Sequence, residues 1–389
     1  MTLFDTAIVG LGAMGSAAAA HLVARGQSVV GFDALYPCNP LGSSHGDSRV
    51  IRLGYFEDPA YVPLLRRAYR TWRALERQTG EDLLTVTGVL QIGRPDSPIV
   101  SGTRRACEAH DLPFSLLTPA AMAERYPAFR LGEDETGLLE PEGGFLRPER
   151  AVAAQIRVAA EGGAVLRFNE KVLDIQPGDG GVTLRSALGS VRARTVIVTT
   201  GPWIAQLVPE LDGMAVPIRQ VVAWYHPQDA FVTALGRMPV FLRDLGPEGS
   251  FFGFPALGPD GVKLGRHCHF NEPVDPDLPN PPVTERDTAM LDSFVAGNIP
   301  AVAGTVAAAA GQRRATMTCR YTMLPGEDFL VDRHPGEPRI IVASPCSGHG
   351  FKFTSVIGEI LADLAADGGT ALPIDVFSFA ALRRAAARA

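Results

Sequence analysis

Residues 5–33 read D-T-A-I-V-G-L-G-A-M-G-S-A-A-A-A-H-L-V-A-R-G-Q-S-V-V-G-F-D. Ala7-Ile8-Val9 is a short apolar strand, Gly10, Gly12 and Gly15 make G-x-G-x-x-G, and the small residues Ser16 to Ala20 open a helix that Gly26 ends. Ser28 to Phe32 reads as a second strand, with Asp33 at its end. Gly10 allows the tight turn, Gly12 lets the backbone approach a pyrophosphate, and Gly15 lets helix and strand pack closely. The helix N-terminus offers unpaired N–H groups and a positive dipole end. Asp33 is placed to accept hydrogen bonds from a ribose. The complete order of strand, turn, helix, strand and acid separates this fingerprint from a Gly-rich turn in an ordinary α/β core.

The chain has 389 residues, room for two domains or one large α/β unit. Its net charge of −6 argues against nucleic acid as a partner. No apolar run is long enough to cross a bilayer, so no membrane association is expected. The first strand begins too early to leave space for a signal peptide. The five cysteines are scattered without a C-x-x-C, which fits a reducing, cytoplasmic setting.

Leu64 to Leu75 reads as an amphipathic helix and Val86 to Ile92 as a strand. Arg194 to Gly201 and Arg339 to Ser344 are nearly continuous apolar strands, which suit the centre of a sheet covered on both faces. The nucleotide-binding sheet is therefore expected to gather strands from the start, middle and end of the chain. Residues 216–270 are rich in aromatic residues, Gly and Pro. They alternate in places, as at Val221 to His226, which suits an antiparallel sheet in a second domain. The expected division is a discontinuous nucleotide-binding domain (1–84, 145–215 and 315–389) and a substrate domain of mainly antiparallel α+β type (85–144 and 216–314). The Ala-rich stretches at 301–310 and 380–389 read as helix or loop filler, with a fraying tail.

The strand at 339–344 leads into P-C-S-G-H-G-F-K-F and then an apolar-periodic helix through Val356, Ile357, Ile360, Leu361 and Leu364. Gly348 and Gly350 flank His349, giving a second anion-friendly turn before a helix. Lys352 lies near that helix start, where a cation is unfavourable unless it has an anionic partner; a solvated Lys is the alternative. Residues 42–52, G-S-S-H-G-D-S-R-V-I-R, end in Arg49 and Arg52, a pair suited to holding a carboxylate or phosphate, or else a solvated basic loop. Cys319 by itself reads as a buried structural thiol. His267 and His269 form an H-x-H that on a strand would face one side, as zinc ligands can. No acidic or further His partner stands nearby with good spacing, so no metal site is expected.

Taken together, the chain resembles the monomeric sarcosine oxidase and N-methyltryptophan oxidase family of amine-oxidising flavoproteins, nearly end to end. The most specific pieces are G-S-S-H-G-D-S-R-V-I-R at 42–52, Y-V-P-L at 61–64, G-F-L-R-P-E at 144–149, C-R-Y-T at 319–322, E-D-F-L-V-D at 327–332 and S-G-H-G-F-K-F at 347–353. The resemblance implies an FAD-binding Rossmann-like domain of the glutathione-reductase type. It also implies FAD bound at Gly10, Gly12, Gly15 and Asp33 and at the Gly348, His349, Gly350 and Lys352 turn, with a covalent thioether through Cys319. It further implies carboxylate binding by Arg52 and Lys352, an active-site role for His267, oxygen activation by Lys263, and packing of His45 and Arg49 close to the flavin ring. The implied reaction is oxidation of a secondary amine beside a carboxylate, sarcosine or another N-methyl or cyclic amino acid. The imine is then hydrolysed, and O2 is reduced to hydrogen peroxide by a monomeric enzyme. Two departures bear on the substrate. Phe252 stands where the sarcosine-acting members have Tyr, and Pro345 and Cys346 stand where small residues are usual. The alternatives are a flavin dehydrogenase or demethylase of the same fold with another acceptor, an NAD-dependent dehydrogenase, and a non-catalytic nucleotide-binding protein.

Overall fold

A computed structural model describes residues 3–388. The fingerprint folds as read: β1 (Leu3–Val9), α1 (Ala13–Val23) and β2 (Val29–Phe32). β1 pairs in parallel with β2 on one edge and with Gly189–Val198 on the other. Glu337–Ser344 adds a further parallel strand beyond Val196–Val198, and Val165–Arg167 one beyond β2. The sheet therefore draws on the start, middle and end of the chain.

The continuous apolar runs are explained by two cores, one on each face. Successive side chains of a strand point to opposite faces. Ile8, Ile197 and Ile341 enter a core built with α1 and the helices Val62–Thr79, Pro148–Glu161 and Thr354–Ala366. Their neighbours Ala7, Val9, Val196, Val198, Ile340 and Val342 enter the core on the other face. α1 crosses the helix Thr354–Ala366 so closely that a Cβ on Gly358 would lie 2.4 Å from Cβ of Ala17.

A second sheet of eight strands runs in the order 313–323, 216–225, 262–266, 250–256, 240–244, 89–93, 136–140, 115–117. All its pairings are antiparallel except that between 240–244 and 89–93. The helix Glu285–Asn298 covers it, stacking Phe294 on Phe251 with ring centroids 4.0 Å apart. A small sheet of Arg49–Ile51, Gly144–Leu146 and Leu84–Val86 completes the fold.

Three expectations need correction. The strand Arg313–Met323 lies in the antiparallel sheet, paired along Val216–Tyr225, and so falls outside the nucleotide-binding segments assigned from residue 315. The strand expected from Val86 to Ile92 is two strands in two sheets, because Gly88 takes a φ of +73° and turns the chain between them. The C-terminal stretch is not filler: Phe379–Ala386 is a helix whose Phe379 and Leu382 are buried in the core beside Leu330 and Val342. No helix among the described residues is long and apolar enough to cross a membrane.

Candidate active site

The register of the parallel strands aligns Phe32, Val9, Val198 and Val342, so the chain leaves the sheet at one level. A cavity of ≈ 590 Å³ opens there, bordered by Gly10, Gly12, Asp33, Thr200, Arg49 and Gly350 among others. Ligands bind in α/β sheets in the crevice outside the carboxyl ends of the strands. The glycines divide their work as the motif requires. Gly10 has φ +94°, and a Cβ there would lie 2.5 Å from the Thr199 carbonyl oxygen. A Cβ on Gly15 would lie 1.8 Å from the Gly10 oxygen, whereas one on Gly12 would meet only Ser44 Oγ at 3.4 Å. Gly15 thus serves packing, and Gly12 keeps the ligand side clear. Asp33 borders the cavity with both carboxylate oxygens engaged, accepting from the Leu11 N–H and the Leu35 N–H at 2.9 Å each. The buried Thr200 hydroxyl has no partner among the described residues. A ligand-sized cleft with a Gly-lined approach and an unsatisfied hydroxyl on its wall fits a dinucleotide.

A second cavity of ≈ 290 Å³ adjoins it, sharing Arg49, Tyr321, Gly348 and Phe351. Here the structure gathers Arg52, Lys352, His267, His349, Cys319 and Phe252 from five separate stretches of chain. The rest of its lining includes Phe56, Ile99, Val222, Leu242 and Phe254, an apolar wall.

The buried cations are answered differently. Arg52, 2% exposed, donates from Nη2 to both oxygens of Glu57 at 2.7 Å and from Nη1 to the Gly54 carbonyl at 2.8 Å, with Tyr55 and Phe56 rings 4.4 Å from its guanidinium. Lys352 donates to the His349 carbonyl at 2.6 Å, its single side-chain hydrogen bond among the described residues. Burial, then the Arg52 charge, lowers its pKa to about 7. Lys263 does not reach solvent, as the alternation of G-V-K-L-G would allow. It is 2% exposed, and its Nζ donates to the Gly46 carbonyl, to the Ser48 carbonyl at 3.0 Å and to Ser48 Oγ at 3.3 Å. Burial, then Arg49, lowers its pKa to about 7 as well. Arg49 reaches back to the carbonyls of Ser48 and Ser43 at 3.0 and 3.3 Å. Burial raises the Cys319 thiol pKa, while Arg49 and Lys263 pull it the other way. His45 lies behind this group. Its Nδ1 is 3.2 Å from Met317 Sδ, its Nε2 is unpartnered, and burial lowers its pKa to about 4.

His349 and Lys352, expected at the cofactor, line the smaller cavity instead. The helix there begins with a 3-10 turn, Phe351–Phe353, whose side chains step by about 120°. Phe351 thus faces both cavities, and Lys352 folds back over His349. His349 Nδ1 shares a hydrogen bond with the Tyr55 hydroxyl, and its Nε2 is 2.8 Å from the Glu327 carbonyl. The H-x-H pair is not on a strand. The strand ends at Arg266, and left-handed φ values of +54° at Cys268 and +38° at His269 curl the chain into a turn. His269 is directed inward onto Asp287 at 2.7 Å, and His267 lines the cavity 3.7 Å from Glu327. Burial opposes the charged form of His267, but the Cys268 and Glu327 side chains outweigh it and raise its pKa to about 10. Sequence reading missed Glu57, Glu327, Tyr321 and Thr200. Glu57 carried a signal, an acid five residues after Arg52. Glu327 and Tyr321 lay inside quoted motifs without an assigned task.

A family profile described as "FAD dependent oxidoreductase" matches residues 5–364. The chain is 38% identical to a monomeric sarcosine oxidase of Streptomyces avermitilis over 379 residues, covering 96% of each chain. It is 33% identical to an N-methyl-L-tryptophan oxidase of Yersinia pestis, covering 98% of this chain and all of the relative. Among solved structures, it is similar to an amino acid oxidase essential for nikkomycin biosynthesis (TM-score 0.83, 24% identity, 97% and 98% of the two chains). It is also similar to the L-proline dehydrogenase of P. horikoshii (TM-score 0.81, 21% identity, 97% and 96%).

The glycine geometry makes a contrast that can be measured. Gly12→Ala is expected to fold, with a native circular-dichroism spectrum, but to lose at least tenfold in FAD content after purification. Gly15→Ala is expected to lose about 1–3 kcal/mol of stability in urea unfolding, the usual cost of overpacking. Full flavin content in the Gly12 variant would show that the pyrophosphate does not pass over this residue.

Proposed function

The chain belongs to the FAD-dependent oxidoreductase family and is a flavoprotein acting on the CH–NH group of amino-acid amines, and we propose that Lys352 and Arg52 hold its substrate by the carboxylate. The substrate is a secondary amine, sarcosine or another N-methyl or cyclic amino acid. One observation carries this reading: buried cations share a small cavity with an aromatic wall, and that cavity meets the dinucleotide cleft at Arg49, Tyr321, Gly348 and Phe351. FAD, when bound, supplies the acceptor for the hydride equivalent taken from the amine's carbon.

The residues of the chain perform the rest. Lys352 uses one N–H on His349, so two remain for a carboxylate. Arg52 is neutralised by Glu57 until a substrate carboxylate exchanges with that partner. Fixing the carboxylate at these two points orients the reacting carbon. The same positive field, with His267 beside it, disfavours a protonated amine, and the amine must be neutral to release a hydride. Phe252, Phe254, Phe56 and Leu242 offer no side-chain hydrogen bond to the remainder of the substrate. N-methyl amino acids with apolar side chains and cyclic amino acids are therefore expected to outrank sarcosine in kcat/KM when peroxide formation is measured across such a panel. A monomer in a cytoplasmic, reducing setting is the rest of the proposal, and five cysteines without a disulfide among them fit the reducing setting.

A carboxylate contact worth about 1.5–3 kcal/mol makes Lys352→Met weaken capture about tenfold or more. Lys352 is charged below its pKa of about 7 in the empty site. Capture of an anion is thus strongest below that pH and declines above it. The inhibition constant of an amine-free carboxylate should rise by up to tenfold per pH unit above 7 in the wild type. The rise should be clearly shallower in Lys352→Met, what remains coming from Lys263, whose pKa is also lowered to about 7. A rise of undiminished slope in the variant would exclude Lys352 as the contact.

Cys319 is proposed to hold the flavin covalently. Cys319 lines the smaller cavity, which adjoins the dinucleotide cleft, with Arg49 and Lys263 favouring the thiolate needed for a thioether. Acid precipitation should leave the yellow colour in the pellet, and intact mass should exceed the chain by one FAD. Cys319→Ser should release the colour. Wild-type colour found in the supernatant would show that the linkage is absent.

Lys263 is proposed to serve reduction of O2 to hydrogen peroxide. Its ammonium is saturated by three acceptors, so it acts by its charge and not by a new hydrogen bond. Lys263→Met should slow reoxidation by O2 about a thousandfold, equivalent to roughly 4 kcal/mol, and leave anaerobic reduction nearly unchanged in stopped-flow measurements. Slow reoxidation already in the wild type would favour the dehydrogenase alternative.

A further inference from the structure

We propose that His267, Cys268 and Glu327 form a binding site for a soft divalent cation of the zinc class, and that a cation held there closes the substrate cavity. The binding claim stands on these three side chains alone, and its effect on turnover rests on the function proposed above. Their ligand atoms all lie within 4.8 Å of one another, and His267 Nε2 is 3.7 Å from Glu327 Oε2. A tetrahedral zinc ion with ligands at about 2.0–2.3 Å separates neighbouring donors by roughly 3.3–3.8 Å, so a small side-chain adjustment completes the set. Imidazole, thiolate and carboxylate are the donors zinc takes, and three protein ligands leave a fourth position for water.

The turn presents these groups ready-made. Cys268 and His269 both adopt left-handed φ values, unusual for non-glycine residues, and Glu327 does so at φ +58°. The turn is tied down by His269 on Asp287 at 2.7 Å and by Arg266 Nη1 donating to the His269 carbonyl at 2.5 Å. Asp287 is itself held by both Nη atoms of Arg219, at 3.0 and 2.6 Å. His269 is thereby committed to the interior, and the H-x-H pair does not act as a pair. His267 and Cys268 are partly exposed and Glu327 is exposed, so an ion reaches them from solvent. His267 and Glu327 also line the cavity that holds Lys352, so an ion on them occupies the substrate's space. Binding releases two protons to solvent, the Cys268 thiol proton as the sulfur–metal bond forms and the proton that His267 carries in the empty site as its imidazole nitrogen takes the metal; no oxidation or reduction is involved.

The test uses the yellow holoprotein with Cd2+ and Zn2+ as probes. Cd2+ titration should produce a saturable ultraviolet thiolate-to-cadmium absorption of one equivalent that Cys268→Ser abolishes and Glu327→Gln weakens at least tenfold. Zn2+ should inhibit competitively against the amino-acid substrate, slow anaerobic flavin reduction, leave reoxidation by O2 unchanged, and be reversed by EDTA. Cys268→Ser should turn over within twofold of wild type without metal and require at least tenfold more zinc for inhibition. An unchanged cadmium band or unchanged zinc sensitivity in Cys268→Ser overturns the proposal. The absorption titration needs no turnover, so a failure of the amine-oxidation reading leaves the binding result intact. If Cys268→Ser does not accumulate, Glu327→Gln and competition of the band by substrate decide the matter.

Discussion

Everything in the site hangs on the contact between backbone and backbone at the end of β1. Thr199 N–H donates to the Val9 carbonyl at 2.8 Å, Thr199 Oγ1 donates to the Gly10 carbonyl at 2.7 Å, and α1 presses Gly15 onto that same carbonyl. No side chain fits between these segments. The helix start, the end of β1 and the end of the strand Gly189–Val198 are thereby locked to one another. The cleft is the space left outside them. The turn Pro345–Gly350 repeats the constraint on the far side of the sheet centre, where a Cβ on Gly350 would lie 1.5 Å from the Pro345 oxygen. Two glycine-bound turns, on strands that flank Gly189–Val198 on either side, thus define one crevice.

The second organising feature is charge taken out of water. Burying an unpaired cation is expensive, and each cation here resolves that cost in its own way. Arg52 has a carboxylate and two aromatic rings, Lys263 has three oxygen acceptors, and Lys352 has one carbonyl. The least satisfied group is the one best able to gain from an incoming anion. Burial lowers the pKa of both Lys352 and Lys263 to about 7, so the field of the site weakens as pH rises through that value. The walls are apolar and aromatic, which strengthens that field by keeping the local dielectric low.

The fingerprint was legible because its signal is local. Strand, turn, helix, strand and Asp33 follow within 29 residues, each with its own backbone requirement. The sheet's composition from three distant stretches was also readable, since only a strand covered on both faces is apolar at nearly every position, as in Val196 to Val198 and Ile340 to Val342. Alternation was a poorer guide. It left Lys263 free to face solvent and placed His267 and His269 on one face of a strand. Packing of the Gly46–Ser48 loop over the sheet buried the first, and two left-handed residues rotated the second pair apart. The break at Gly88 had the same character, because one positive φ sends two halves of an apolar run to two sheets.

By itself the sequence determined the dinucleotide turn, the buried parallel strands and the antiparallel second sheet, since those follow from local backbone geometry and side-chain period; the candidate site residues came from the family resemblance of whole motifs. Only the tertiary structure decided which charges face which partners. Arg52 meets Glu57 five residues away, but Glu327 meets His267 and Cys268 across some sixty residues, and Lys352 meets the cavity of Phe252 across a hundred. Such meetings depend on how separate sheets and turns are stacked. That stacking is set by the summed burial of the cores, and no spacing along the chain records it.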